Sequence, residues 1–392
     1  MLNLAMPGNP RYQPKDLKGF FGHDNLARFL VEVELAVMKT LGNLHVVPSR
    51  DMALLTEEVE EKLYSITTSM VEERERAVTK HDIRALVQLM QERMPEPLRR
   101  WVHVPLTSYD ALDTARAIMF HRAHVKVVLP KLHRLIECLV EQIKRHEKTP
   151  QIGRTHGQHA LPITVGFWFA TILNRVCYNA EKANEHAKGL AGKISGAVGA
   201  YNAQVALNLE GEERHDFEFR VLARLNIGRA DISTQIVPPE PLSYYLFACL
   251  MLSGALGQLG RDGRHLMRTE IGELSEPFEK GQVGSSTMAH KRNPITFENI
   301  EGTWWKSIAE FQKVLFSTIS EHQRDLVGSS IARDLPTIVI NLVHQLDTLL
   351  REKDGVPFIS RIGIDEERIR GNLSLSGDRI LAEPMYLLLQ MH

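Results

Sequence analysis

PEPLSYYLFACLMLSGALGQLGRDGRHLM, residues 239–267, decides the fold class of this 392-residue chain. Apolar residues recur at Leu242, Tyr245, Leu246, Cys249, Leu252, Leu256 and Leu259, a three-and-four spacing that lines one face of a helix, and no proline follows Pro241. The stretch predicts a helix of roughly seven or eight turns, weakened toward its end by glycines. A second long helix is expected from Ser108, where Thr107 and Asp110 make a capping-box pattern. It runs through Ile118, Val125, Leu132 and Leu139 toward Lys148, with a kink at Pro130. Helical periodicity also covers 164–188, 296–320 and 332–351, each apolar on more than one face. Helices this long cannot all be buried inside one 44.5 kDa globule. The pattern therefore predicts an all-α bundle that packs against copies of itself.

The remaining sequence arranges itself around that bundle. Segments before Thr107 are shorter and more charged, as in VEERERAVTKHD (71–82), and predict a small helical N-terminal domain over 1–107. The long-helix domain spans 108–353. Turn residues in DGVPFISRIGIDEERIRGNL (354–373) mark the entry to a third helical domain, 354–392, which reads as incomplete because LLLQMH falls within an amphipathic pattern. With 43% hydrophobic residues the chain can bury a core large enough for two or three domains. Forty-seven basic against 48 acidic residues give a net charge of -1, so no overall field favours nucleic acid or an anionic membrane. Cys138, Cys177 and Cys249 lie among apolar helical residues without metal or redox spacing and are expected to be buried thiols. The N-terminus lacks a secretory pattern and no stretch approaches about 18 consecutive apolar residues, which predicts a soluble cytoplasmic protein.

Three polar segments interrupt the helical pattern: WVHVPLTSYD (101–110), QIGRTHGQHALP (151–162) and EKGQVGSSTMAHKRNPITFEN (279–299). Such links between rigid helices are where chemistry usually sits. In the third, Gly281 and Gly284 permit unusual backbone angles, Ser285 and Ser286 supply hydroxyls, and Lys291, Arg292 and Asn293 supply donors before Pro294 opens a helix. That composition suits a lid over an anionic substrate, and an exposed surface loop is the plain alternative; the phosphate-loop spacing GxxxxGK[ST] is absent. In the second, His156 and His159 are spaced as metal ligands could be, but no third ligand lies near, and Arg154 and Gln158 are poor company for a metal. Proton transfer suits one of them better, since imidazole titrates near neutrality. For any single histidine among the seventeen, composition alone favours a structural role. In the first, His103, Thr107 and Ser108 stand at a helix start, where free amides favour an anion and where an ordinary N-cap also explains Thr107.

Together these segments resemble the three signature regions of the fumarase/aspartase superfamily, whose third region has the form GSSxMPxKxN and reads here GSSTMAHKRNP (284–294). RTHGQHA (154–160), TKHD (79–82), WVHVPLTSYDALDTA (101–115), NPRY (9–12) and EHQRDLVGSSIAR (321–333) are similar to the adenylosuccinate lyase family within it. The resemblance spans nearly the whole chain. It implies a three-domain α-helical fold whose central bundle is completed by homotetramerisation, active sites shared between subunits, and a cofactor-independent, metal-free β-elimination that releases fumarate from a succinylated purine nucleotide or its aminoimidazole carboxamide counterpart.

The resemblance also assigns roles. Ser285 is the general base, acting as an alkoxide that needs nearby cations and dry surroundings to form. Lys291 supports it, and Lys291 and Asn293 hold the succinyl carboxylates. His156 is the general acid and Glu298 the carboxylate that pairs with it, while His159 stands behind them. His81 and His103 match positions near the substrate phosphate and carboxylate, Thr107 and Ser108 a carboxylate site, Gln235 and Asn299 polar substrate contacts, and Asp82 and Thr155 further substrate-binding positions. Arg11, Tyr12, Arg324, Ser329 and Arg333 match the clamp on phosphate and base, a task for which the rigid guanidinium fork is suited. Taken alone, the arginines of 321–333 would read as helix-surface residues. Ala289 replaces the usual proline, and IVPPEPLSYY (236–245) lacks the Arg-Asp pair common there. Other superfamily lyases, of the argininosuccinate lyase or carboxymuconate cycloisomerase type, do not need the phosphate clamp. A catalytically silent homologue would be free to lose Ser285, Lys291, Asn293, His156 or Glu298, all of which are present.

Overall fold

A computed structural model of the chain describes residues 1–210, 216–278, 281, 287–288 and 290–392. Its longer elements, in chain order, are helices α1 (Asn25–Asn43), α2 (Asp82–Arg93), α3 (Ser108–Ala123) and α4 (Leu129–Arg145), strands β1 (Pro150–Thr155) and β2 (Gln158–Thr164), and helices α5 (Val165–Lys188), α6 (Glu240–Leu266), α7 (Ile295–Phe316), α8 (Pro336–Leu350) and α9 (Glu366–Leu375). The other strands among the described residues are two-residue pairs, so the architecture is all-α. The capping box at Thr107 is formed, with the Thr107 amide donating to Asp110 Oδ2 at 2.8 Å. Ahead of Pro130 the helix widens into a π-turn, His124–Val128. Proline has no amide hydrogen to close the regular ladder, and the wider turn absorbs that loss.

Contacts divide the chain into two compact units. The first comprises Met1–Val128, Lys182–Ala248 and Glu310–Ile340; the second comprises Leu129–Glu181, Cys249–Ala309 and Asn341–His392. The first therefore holds all of 1–107, the second all of 354–392. In the first unit α1 buries Val31, Val33, Leu35, Val37, Met38 and Leu41, and packs on α3. In the second, the glycines that weakened the helix reading of α6 turn out to be its seam with α7. A Cβ at Gly257 would lie 3.1 Å from the Trp304 side chain, and one at Gly260 would lie 2.7 Å from the Phe297 carbonyl oxygen. The fully buried Gln345 of α8 bridges the seam, accepting from Ser253 Oγ at 2.6 Å and donating to the Ile300 carbonyl at 2.8 Å.

Two expectations need correction. By length and composition α6 is apolar enough to cross a membrane, with 61% of its apolar window buried in this chain, as befits a core helix. Cys138 and Cys249 are buried, but Cys177 is exposed. It lies on an outward face of α5 beside Tyr178, and that face is one of several apolar surfaces the single chain leaves open: Phe167 and Tyr178 on α5, Tyr244, Phe247 and Met251 on α6, Trp305, Ile308, Leu315 and Phe316 on α7.

Candidate active site

In the first unit the N-terminus of α3 is held by a fully buried ion pair. Asp110, the residue that completes the capping box, accepts from Lys193 Nζ and from the amides of Ser195 and Gly196, both at 3.2 Å. Thr107 and Ser108 thus sit on a helix start whose position is fixed from beneath. Just ahead of them His103 adopts a left-handed backbone, φ 67°, and is gripped twice by one carboxylate: its amide donates to Glu34 Oε2 at 3.0 Å and its Nδ1 lies 2.6 Å from Glu34 Oε1. Glu34 is 2% exposed, on the otherwise apolar buried face of α1. Burial works against charge on His103, but the Glu34 carboxylate outweighs it and raises the imidazole pKa above its ordinary value.

Arg324 and Ser329 come together with a residue that the sequence reading passed over, Tyr109. Arg324 Nη2 donates to the Tyr109 hydroxyl and, at 2.9 Å, to Ser329 Oγ, while its guanidinium lies 3.2 Å from the centre of the Tyr109 ring. Its buried Nη1 has no partner among the described residues. These three residues line an open cleft of about 960 Å³ together with Ile236, Val237, Pro238, Pro239 and Leu242. Asp113 lines it too, and burial pushes its carboxyl upward against the opposing pull of Arg116. The missing Arg-Asp pair is thus replaced by a prolyl, apolar wall. A second cleft of about 1710 Å³ brings Asp82 and Arg333 together with His23, Arg76 and Arg116. His81 caps α2 through its own ring, accepting from the Arg84 amide at 3.4 Å. Arg11 is exposed in a short turn, Pro10–Tyr12, capped by Asn9, and Tyr12 is half-buried beside it. The Gln235 amide donates to the Gln323 carbonyl at 3.4 Å.

In the second unit, the segment read as a polar link is a β-hairpin. Thr155 pairs with Gln158, and His156 (φ 54°) and Gly157 (φ 76°) form the two-residue turn between them. Left-handed angles at both central residues are what a tight hairpin needs, and glycine supplies one freely. His156 is therefore displayed, exposed, at the tip. The base is anchored on Glu273, which is fully buried: Arg154 reaches both its oxygens at 2.6 and 3.2 Å, Gln151 donates at 2.7 Å, and Asn372 of α9 donates at 2.9 Å. His159, across the strand pair from Arg154, bonds Ser376 Oγ at 2.8 Å, a supporting contact. Glu298 and Asn299 lie in the first turns of α7, Glu298 exposed and Asn299 bonded through Oδ1 to His344 Nε2 at 2.9 Å. Lys291 is exposed and Asn293 half-buried just before that helix. His156 and Glu298 make no ion pair within this chain among the described residues, and Ser285 lies outside those residues.

Two residues missed in the sequence had a signal there. Glu34 is a carboxylate at an apolar helix position in VEVELAVMKTL, and Tyr109 lies inside a segment already singled out. Glu273 gave none, because its partners are 119 and 122 residues earlier and 99 later.

Comparison with known proteins identifies the chain's relatives. A family model described as Lyase matches residues 31–306. The chain is 34% identical over 388 residues to the adenylosuccinate lyase of Archaeoglobus fulgidus, covering 98% of this chain and 82% of that one. It is 33% identical over 383 residues to the adenylosuccinate lyase of Pyrococcus horikoshii, covering 97% and 81%. Two solved structures share the fold: the 3-carboxy-cis,cis-muconate lactonizing enzyme from Pseudomonas putida (TM-score 0.81, 23% identity, 97% of this chain and 82% of that one) and a fumarate lyase from Mesorhizobium sp. BNC1 (TM-score 0.81, 21% identity, 98% and 84%). Near-full-length identity above 30% outweighs fold likeness below 25%, and this chain belongs to the lyase family and, within it, to the adenylosuccinate lyases.

Proposed function

We propose that this chain cleaves adenylosuccinate to AMP and fumarate, and the related succinylated aminoimidazole carboxamide ribotide likewise, as a cytoplasmic homotetramer. The near-full-length identity to adenylosuccinate lyases carries the reading. The Arg324–Ser329–Tyr109 cluster supports it, because a half-buried guanidinium whose buried Nη1 has no partner among the described residues suits a phosphate oxygen, which substrates without phosphate would not supply.

The chemistry divides between two groups. Ser285 removes the proton beside a succinyl carboxylate, and Lys291 and Asn293 offset the charge that accumulates there. His156 donates a proton to the departing nitrogen, which otherwise would leave as a strong base. Its exposed place at a hairpin tip, with Glu298 exposed elsewhere in the same unit, fits a site completed by other subunits. The open apolar faces of α5, α6 and α7 are the surfaces on which those subunits would pack.

The test is the fall in ultraviolet absorbance when purified protein meets adenylosuccinate. Turnover by wild type, abolished in Ser285→Ala and in His156→Ala, is expected. A folded tetramer that leaves adenylosuccinate intact would refute the assignment.

A further inference from the structure

We infer that Glu34 is a positioning residue that holds His103 in a single orientation, its Nδ1–H on the carboxylate, so that the doubly protonated ring presents Nε2–H to an anionic group of the substrate. The inference rests on the proposed function for the identity of that anion, but the clamp itself is read from geometry.

Four observations carry it. First, Glu34 takes hold of His103 at two points, the backbone amide at 3.0 Å and ring Nδ1 at 2.6 Å. A buried carboxylate accepting at Nδ1 requires the proton to be on that nitrogen, so Nε2 is the nitrogen left for anything else. Second, the grip fixes a backbone that histidine does not favour, φ 67°, which costs free energy unless contacts hold it. Third, Glu34 is placed where packing alone would choose an apolar residue: its neighbours Val31, Val33, Leu35 and Val37 are all buried, and burying a carboxylate among them is unfavourable without a compensating partner. Fourth, the His103 side chain keeps 22% of its surface open while Glu34 keeps 1%, so the pair has one solvent-facing end, and it belongs to the histidine.

The charged groups facing His103 are Glu34 from α1, Asp110 from α3 and Arg84 from α2; the two carboxylates favour the imidazolium and Arg84 opposes it. The sign follows. A histidine whose pKa is raised in the folded state carries its charge through the ordinary histidine range, near pH 6.5, and loses it only as pH rises beyond. The donor therefore persists to higher pH than it would on an ordinary histidine.

Glu34→Gln keeps the shape and removes the charge. The alkaline limb of kcat/KM should move to lower pH, with activity on the acid side affected least. Glu34→Asp, which retains a carboxylate, should restore the position of the limb even if the overall rate falls. A second readout needs no turnover: diethyl pyrocarbonate acylates neutral imidazole, so at pH 7 the modification of His103, followed by peptide mass spectrometry, should be severalfold faster in Glu34→Gln than in wild type. If wild type does not cleave adenylosuccinate, the proposed function fails while the acylation rates still judge the clamp. Unchanged His103 acylation in Glu34→Gln, or a rate lowered equally at every pH, would overturn the inference and leave Glu34 a packing residue.

Discussion

Replacing Glu273 with alanine should loosen the hairpin that displays His156 and leave the rest of the second unit closed. Four side-chain hydrogen bonds converge on this carboxylate, two from Arg154, one from Gln151 and one from Asn372, and its own exposure is 0%. Removing it strands the Arg154 guanidinium, which is only 14% exposed. Breaking a buried pair in this way costs about 3–5 kcal/mol. The lower end applies here, because Arg154 keeps a contact to the Ile152 carbonyl at 3.3 Å and some access to water. At roughly 1.4 kcal/mol per tenfold, a loss of about 3 kcal/mol raises the open population of the hairpin about a hundredfold. Hydrogen–deuterium exchange read by mass spectrometry on peptides covering 150–164 would report it, with peptides from α6 as the internal reference. Exchange in 150–164 within about threefold of wild type would refute the anchoring role. So would equal acceleration in both regions, since that is global destabilisation.

Two further outcomes follow from the same structure. Arg324→Lys keeps the charge but loses the planar guanidinium, whose Nη2 alone bonds both Tyr109 and Ser329 and whose Nη1 is left for the substrate, so KM for adenylosuccinate should rise about tenfold or more with kcat changed much less; an equal loss in kcat would place Arg324 in the chemical step instead. Trp305→Glu puts a carboxylate on the open face of α7, where the tryptophan is 55% exposed in the single chain. Sedimentation should then show dissociated protein with turnover lost, and an intact active tetramer would mean that this face is not a subunit contact.

Much of the fold was legible because helix periodicity is a local property. α6, the capping box at Thr107 and the disturbance near Pro130 each depend on residues within a turn or two of one another. Where the reading slipped, the deciding fact was not local. QIGRTHGQHALP reads as a polar link, but its hairpin is stabilised by an anchor more than a hundred residues away, and the glycines of α6 read as weakness until Trp304 and Phe297 are seen against them. Cys177 looks like a core thiol by its neighbours, yet which side of α5 faces inward depends on what packs there.

For the site the division is similar. Sequence alone determined the family and proposed the reactive side chains, because motifs such as RTHGQHA and GSSTMAHKRNP are contiguous, and residue type limits the proton and anion chemistry available. Only the tertiary structure decided which groups stand behind them: Glu34 under His103, Tyr109 beside Arg324, Glu273 beneath the hairpin, Lys193 under the start of α3. The reason is physical. A buried charge is tolerated only beside its partner, and the partner is chosen by the packing of segments distant in sequence, which no local pattern encodes.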